Sequence, residues 1–220
     1  MAKIHIITVA HNHLEPETER SVLNLVNTSR HEVVWTKTIG DACISRARNE
    51  ALKGLLSSKF DYLLFIDADI LWLDDPKMSN NPIDSLQSQE LDIVGGVYHL
   101  KSGDYHPSLR TLEQHNNFVK LKTWDTNYEY DIPNKPFEVQ YISAGFLMIK
   151  KEAVAKICEK HWYPCMPMQG VNEEYLSEDW ALCHRAKEIG LKVVADPTFT
   201  LGHVGKYIYT RRDYVGGKHV

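Results

Sequence analysis

The first seventy residues alternate apolar runs with amphipathic stretches, and that order limits the chain to few folds. Ile4 to Ala10 is a continuous apolar run with β-branched residues, the pattern of a strand buried on both faces. A helix is expected from Pro16, a favoured first helical position, to Asn27, with Val22, Leu25 and Val26 on one face. Glu32 to Ile39 reads as a second strand. From Ser45 to Leu56, Ala47, Ala51, Leu52 and Leu55 line one side of a helix, and Arg46, Asn49, Glu50 and Lys53 the other. Asp61 to Asp67 is a third strand that ends in acidic residues. Strands alternating with helices in this way pair in parallel through crossovers, so the class is α/β. Ligands of such sheets bind at the carboxyl ends of the strands, where Asp67 and Asp69 lie.

The second half reads differently. Asp92 to Tyr98 is strand-like, and a polar stretch with His99, Lys101, His106 and His115 follows. Asn117 to Trp124 and Phe137 to Ile149 read as strands, with Ser143-Ala144-Gly145 inside the latter. Helices are expected at Lys151 to His161 and at Ser177 to Ile189, the second closed by Gly190. Lys192 to Ala195 and Phe199 to His203 read as short final strands. With no repeat or linker, residues 1–220 are expected to form a single domain. Its two halves would be about 1–100 and about 101–220.

A net charge of −4 gives no reason to expect binding to nucleic acid or anionic lipid. No apolar run approaches the roughly 20 residues of a membrane-spanning helix, and the run after Met1-Ala2-Lys3 reads as a strand rather than a signal peptide. The spacing of Cys43, Cys158, Cys165 and Cys183 suits neither paired zinc ligands nor a disulfide scaffold, so buried free thiols are expected. Oligomeric state is not written in the sequence.

Asp67-Ala68-Asp69 is the motif with the clearest chemistry. Two carboxylates this close repel unless a cation or hydrogen-bond donors satisfy them. A hard divalent ion shared with a diphosphate would do so, and would neutralise a departing nucleoside diphosphate. Alone, the tripeptide is equally compatible with a polar turn.

Its context resembles glycosyltransferases of the GT-A fold: an Asp-x-Asp turn after a hydrophobic strand (Tyr62-Leu63-Leu64-Phe65-Ile66), preceded by the helix Ser45-Arg46-Ala47-Arg48-Asn49-Glu50-Ala51. Within that family the chain looks similar to the small capsid-glycosylation domains of large algal viruses. The resemblance implies a Rossmann-like nucleotide-binding half with a mixed central sheet. It also implies Mn²⁺ or Mg²⁺, a nucleoside diphosphate sugar donor (a UDP-sugar first), and a glycan or glycoprotein acceptor. A cytoplasmic location is expected, the host cytoplasm for a viral protein.

Ser177 can cap a helix and so place Glu178 and Asp179 in its first turn, where the dipole favours ionised carboxylates suited to a general base. The resemblance implies that this pair faces the acceptor hydroxyl or donor sugar. It further implies that His203 completes a metal site with Asp67 and Asp69, and that Asp67 serves metal or ribose. Lys206 would lie on the diphosphate, the neighbouring glycines allowing close backbone approach. The end of the first strand, Thr8 and Ala10, would hold base and ribose, helped by Asp41 and by Arg46 or Arg48. His11-x-His13 could be a zinc pair, but no third ligand has zinc-like spacing.

Gly95-Gly96 would allow close approach of the donor sugar or relieve a turn. Trp124, Tyr128, Tyr130 and Trp162 would stack on sugars or pack in the core, and the tail from Lys206 to Lys218 would be a lid or a frayed terminus. Two other enzyme classes also use paired carboxylates. A nucleotidyltransferase should carry a Gly-rich basic loop after the first strand, and His11 to Pro16 is not one. A phosphatase of the haloacid dehalogenase type would place its aspartates on the first strand. A non-catalytic nucleotide-sugar or carbohydrate-binding module is the remaining alternative.

Overall fold

The computed structural model describes residues 1–73, 81–101, 107–111, 132–170, 173, 175–205 and 208–210. In chain order, β1 (Lys3–Ala10), α1 (Pro16–Thr28), β2 (Glu32–Ile39), α2 (Ile44–Ser57) and β3 (Tyr62–Ile66) form the expected alternation. They are followed by β4 (Ile70–Trp72), α3 (Pro82–Ser88), β5 (Ile93–Gly96), β6 (Leu109–Thr111), β7 (Phe137–Ile142) and β8 (Phe146–Lys150). The remaining elements are α4 (Lys151–Lys160), β9 (Met168–Gln169), β10 (Tyr175–Leu176), α5 (Glu178–Glu188), β11 (Val193–Asp196), β12 (Leu201–Val204) and β13 (Ile208–Thr210).

Eight strands make one mixed sheet in the order β2-β1-β3-β8-β5-β11-β7-β6. β1 is parallel to β2 and β3, and β5 to β11, whereas β8 runs antiparallel between β3 and β5. Side chains alternate across β3: Leu63 and Phe65 enter one core cluster, Tyr62, Leu64 and Ile66 the other. Helices cover both faces, which is why this strand carries no polar residue. Ala47, Leu52 and Leu55 of α2, Val154 and Ile157 of α4, and Leu182 of α5 pack on the first face. Val22 and Leu25 of α1, and Ile83 and Leu86 of α3, pack on the second. Burial of each of these valine, leucine and isoleucine side chains contributes about 1.5–3 kcal/mol of transfer free energy.

Four local expectations are corrected. Phe137 to Ile149 is not one strand: it is interrupted at Ser143-Ala144-Gly145, and β7 and β8 are not neighbours in the sheet. Gly95 and Gly96 serve core packing: a Cβ would lie 2.8 Å from Ile142 Cδ1 at the first, and 2.6 Å from Leu201 Cδ1 at the second. Arg48 and Asn49 of α2 are buried, and Asn49 Oδ1 accepts the Cys165 backbone N–H at 2.9 Å. Cys43 is exposed while the other three thiols are buried. Gly190 ends α5 as expected, with φ at +82° and the Leu191 N–H reaching back to the Ala186 carbonyl.

β4 begins directly after the Asp-Ala-Asp turn and pairs with β12, which also pairs with β13, in a separate three-stranded sheet. The stretch Ile208–Thr210 of the expected lid or frayed tail is therefore a paired strand. Asn117 to Trp124, His106, His115, Tyr128, Tyr130, Lys206 and the rest of that tail lie outside the described residues. Among the described residues, no helix is long and apolar enough to cross a membrane.

Candidate functional site

The turn Asp67-Ala68-Asp69 leaves the carboxyl end of β3, and its backbone is held by three other segments. Asp67 N–H donates to the Gly145 carbonyl (3.0 Å), Glu15 N–H to the Ala68 carbonyl (2.9 Å), and Val204 N–H to the Asp69 carbonyl (2.7 Å). The loop after β1, the β7–β8 turn and β12 thus converge on one tripeptide. Its two carboxylates point to different partners.

Asp69 Oδ2 faces His203 Nε2 at 3.4 Å and the Lys101 ammonium at 2.5 Å. The cross-strand pairing of His203 with Ile70 brings the imidazole there. Its other nitrogen, Nδ1, lies 2.9 Å from the His99 carbonyl. A carbonyl only accepts, so Nδ1 carries hydrogen, and in the neutral ring Nε2 turns its lone pair toward Asp69. The Tyr98 ring meets His203 edge-on at 5.4 Å and fixes its plane. Burial alone would raise the Asp69 carboxyl, but His203, which donates from Nε2 when its ring is protonated, and the Lys101 ammonium outweigh it and hold the group below the usual range.

Asp67 turns the other way. Its Oδ1 accepts from Arg48 Nη2 at 2.7 Å, and Arg48 Nη1 donates to Glu178 Oε1 at 2.5 Å. Only 2% of the Arg48 side chain is exposed, so this guanidinium is a buried cation between carboxylates from distant parts of the chain. Burial opposes its charge, but Asp67, Asp179 and Glu178 more than compensate and keep it protonated. Glu178 moves upward: burial is the largest cause and Asp179 adds to it, against the pull of Arg48. The helix dipole therefore does not set this carboxyl, contrary to the expectation from its place in the first turn.

Asp179 is buried. Its Oδ2 accepts from Ala144 N–H (3.2 Å), and its Oδ1 from Ser177 Oγ (2.5 Å) and Trp180 N–H (2.9 Å). Ser177 occupies the N-cap position of α5, but its hydroxyl serves Asp179 instead of the helix end. Asp179 thus clamps the turn whose Gly145 holds Asp67. A Cβ on Gly145 would lie 2.4 Å from Tyr98 Oη, so glycine lets the Tyr98 ring lie against the turn.

At the β1 edge, Thr8 points inward: it is buried, and its Oγ1 accepts from Trp35 Nε1 at 3.0 Å. That contact satisfies the hydroxyl of a buried threonine. Ala10 is buried, and its carbonyl accepts the Gly40 N–H. Gly40 has a φ of +94°, which turns the chain so that Asp41 faces Arg46. Arg46 binds both Asp41 oxygens, at 3.0 and 2.6 Å, on the exposed side of this edge. Arg48, expected beside it at the ribose edge, is instead in the buried Asp67–Glu178 pair. His11 and His13 are exposed. The glycine freedom expected around His203 has a packing cause, since a Cβ on Gly202 would lie 2.7 Å from Ile208 Cγ2.

The structure therefore brings together Asp69 with His203, and Asp67 with Glu178 through Arg48. Among the described residues, no three His, Cys, Asp or Glu side chains are grouped to hold an ion. Asp69 and His203 still form a suitable oxygen–nitrogen pair for Mn²⁺ or Mg²⁺, because the His99 carbonyl orients the free imidazole nitrogen as an outer partner of a ligating histidine does. Phosphate oxygens and water would fill the remaining positions. Sequence reasoning missed the roles of Lys101, Tyr98 and Gly145, which carry no motif.

No protein family matches the chain in sequence, and no curated protein does. Solved structures do match in fold. A197 from STIV superposes with a TM-score of 0.58 at 18% identity, over 100% of this chain and 99% of its own. GalNAc-T7, crystallised with UDP, GalNAc and Mn²⁺, superposes with a TM-score of 0.55 at 13% identity, over 99% of this chain and 45% of its own. The chain has the GT-A fold, with the mixed central sheet expected of it.

Proposed function

We propose that the protein is a metal-dependent glycosyltransferase that moves a sugar from a nucleoside diphosphate sugar, a UDP-sugar first, to a glycan or glycoprotein acceptor. The observation that carries this reading is the pairing of Asp69 with His203 Nε2 at the carboxyl edge of the sheet, the imidazole oriented from behind by the His99 carbonyl. The GT-A fold supports it, as does the UDP and Mn²⁺ of the GalNAc-T7 crystals. Residues 1–100 would bind the nucleotide-sugar, and 101–220 would face the acceptor.

Asp69 and His203 would hold Mn²⁺ or Mg²⁺, which when bound supplies positive charge against the departing diphosphate. Glu178 takes the role of proton acceptor for the attacking hydroxyl. Its raised carboxyl brings it nearer the operating pH, and Arg48 fixes its position relative to the Asp67 turn. Asp179 positions instead of reacting, because both of its oxygens already accept hydrogen bonds within the protein.

The test is release of nucleotide from UDP-, GDP- and CMP-sugars with Mn²⁺, with Mg²⁺ and with chelator, on wild-type protein and Asp69→Asn. Metal-dependent turnover of one donor class, reduced by about two orders of magnitude in the variant, is expected. Binding of a donor without any turnover would make the protein a nucleotide-sugar-binding module instead.

A further inference from the structure

Asp69 Oδ2 has two nitrogen neighbours that differ in freedom. His203 is held at Nδ1 by the His99 carbonyl and at its ring by Tyr98. Lys101 comes from the stretch after β5, two residues beyond His99, and reaches the same oxygen at 2.5 Å. Its side chain and that of Asp69 are each about one-third exposed, at 35% and 32%. A four-carbon stem lets the ammonium swing several ångströms without backbone movement. It stands against the oxygen that would bind an ion shared with His203, so a divalent ion and the ammonium compete for that oxygen. Like charges at such a separation repel. An ammonium released there lies beside any diphosphate that shares the ion, and a diphosphate is a strong acceptor for it.

We propose that Lys101 is the resident cation of the site: it neutralises Asp69 in the free protein and transfers to the donor diphosphate when ion and nucleotide bind together. The ion alone therefore binds weakly, and the ion with its nucleotide binds strongly. This inference rests on the metal-dependent reading above and assigns the order of binding at that same site.

The test uses Lys101→Met, which keeps the length of the stem and removes the charge. Mn²⁺ affinity is measured from the electron paramagnetic resonance of free Mn²⁺, and UDP affinity in saturating Mn²⁺ by calorimetry. Removing the competitor should tighten Mn²⁺ alone about two- to fivefold, the range of a partly exposed ion pair. Loss of the phosphate contact should weaken UDP about tenfold or more. Lys101→Arg, which retains a cation, should stay close to wild type on both counts. The opposite signs in the methionine variant separate a cation that changes partner from a merely structural lysine, which would move both constants together or neither. If wild type binds Mn²⁺ with UDP and the methionine variant does not differ, or loses both affinities together, the role of Lys101 is wrong and the metal reading stands. If wild type binds no Mn²⁺ even with UDP, both fall.

Discussion

Arg48 donates to Asp67 through one terminal nitrogen and to Glu178 through the other, at 2.7 and 2.5 Å. A single buried guanidinium thereby joins the turn at the end of β3 to the start of α5, whose Glu178 lies 130 residues beyond Arg48 along the chain. The donor side and the acceptor side of the proposed site are positioned by the same side chain.

Replacing Arg48 with methionine should leave Asp67 and Glu178 without a buried counter-charge. A loss of about 3 kcal/mol is expected, the scale for removing one partner of a buried ion pair. The shift in urea midpoint at pH 7 measures it. A loss within a few tenths of a kcal/mol would mean that water solvates the two carboxylates freely.

Glu178 predicts a pH dependence with a definite sign. Its folded carboxyl titrates above the ordinary glutamate value, chiefly because it is buried. The unfolded chain therefore releases this proton first as pH rises, and the contribution of Glu178 to stability falls between the unfolded value, about 4.3, and the raised folded one. Glu178→Gln lacks that fall. The stability of the variant minus that of wild type should grow in the variant's favour from pH 4 to pH 7, read from urea midpoints at both. The acid limb of kcat/KM in wild type should also lie above the ordinary glutamate range. A stability difference that is constant or shrinks across the window contradicts the assigned burial.

Gly145→Ala should push Tyr98 away, since the new Cβ would lie 2.4 Å from its hydroxyl oxygen. The overpacking should cost about 1–3 kcal/mol. Because Tyr98 backs His203, affinity for Mn²⁺ should fall as well, whereas Gly40→Ala, at a positive φ with open space around it, should lower stability and leave Mn²⁺ affinity unchanged. Equal Mn²⁺ affinity in the two variants would detach Tyr98 from the site.

The sequence makes the fold legible where the signal is local. The apolar run Ile4 to Ala10, the helix from Pro16 and the Gly190 stop each follow from chain neighbours, and each appears within a residue or two of its expected bounds. The burial of Arg48 and Asn49 is not legible, because their partners Glu178 and Cys165 lie 130 and 116 residues away. An amphipathic pattern tells which residues can face water, not which polar residues a distant segment will cover. β4 and β13 are three residues long and exist through pairing with β12, so periodicity could not reveal them. Within the proposed site, the order of Asp69 and His203 along the chain was legible and gave the expectation of a shared ligand role. The divergence of Asp67 from Asp69 was not, because the direction of each carboxylate is set by Arg48 and Lys101.

Calorimetric titration of UDP in the presence and absence of Mn²⁺, on wild type, Asp69→Asn and His203→Ala, asks most directly whether Asp69 and His203 hold a nucleotide-bound ion. Wild type should bind UDP tightly only with Mn²⁺, and each variant should lose about ten- to a hundredfold of that metal-dependent affinity. UDP binding that is indifferent to Mn²⁺, or that survives both substitutions unchanged, would contradict it.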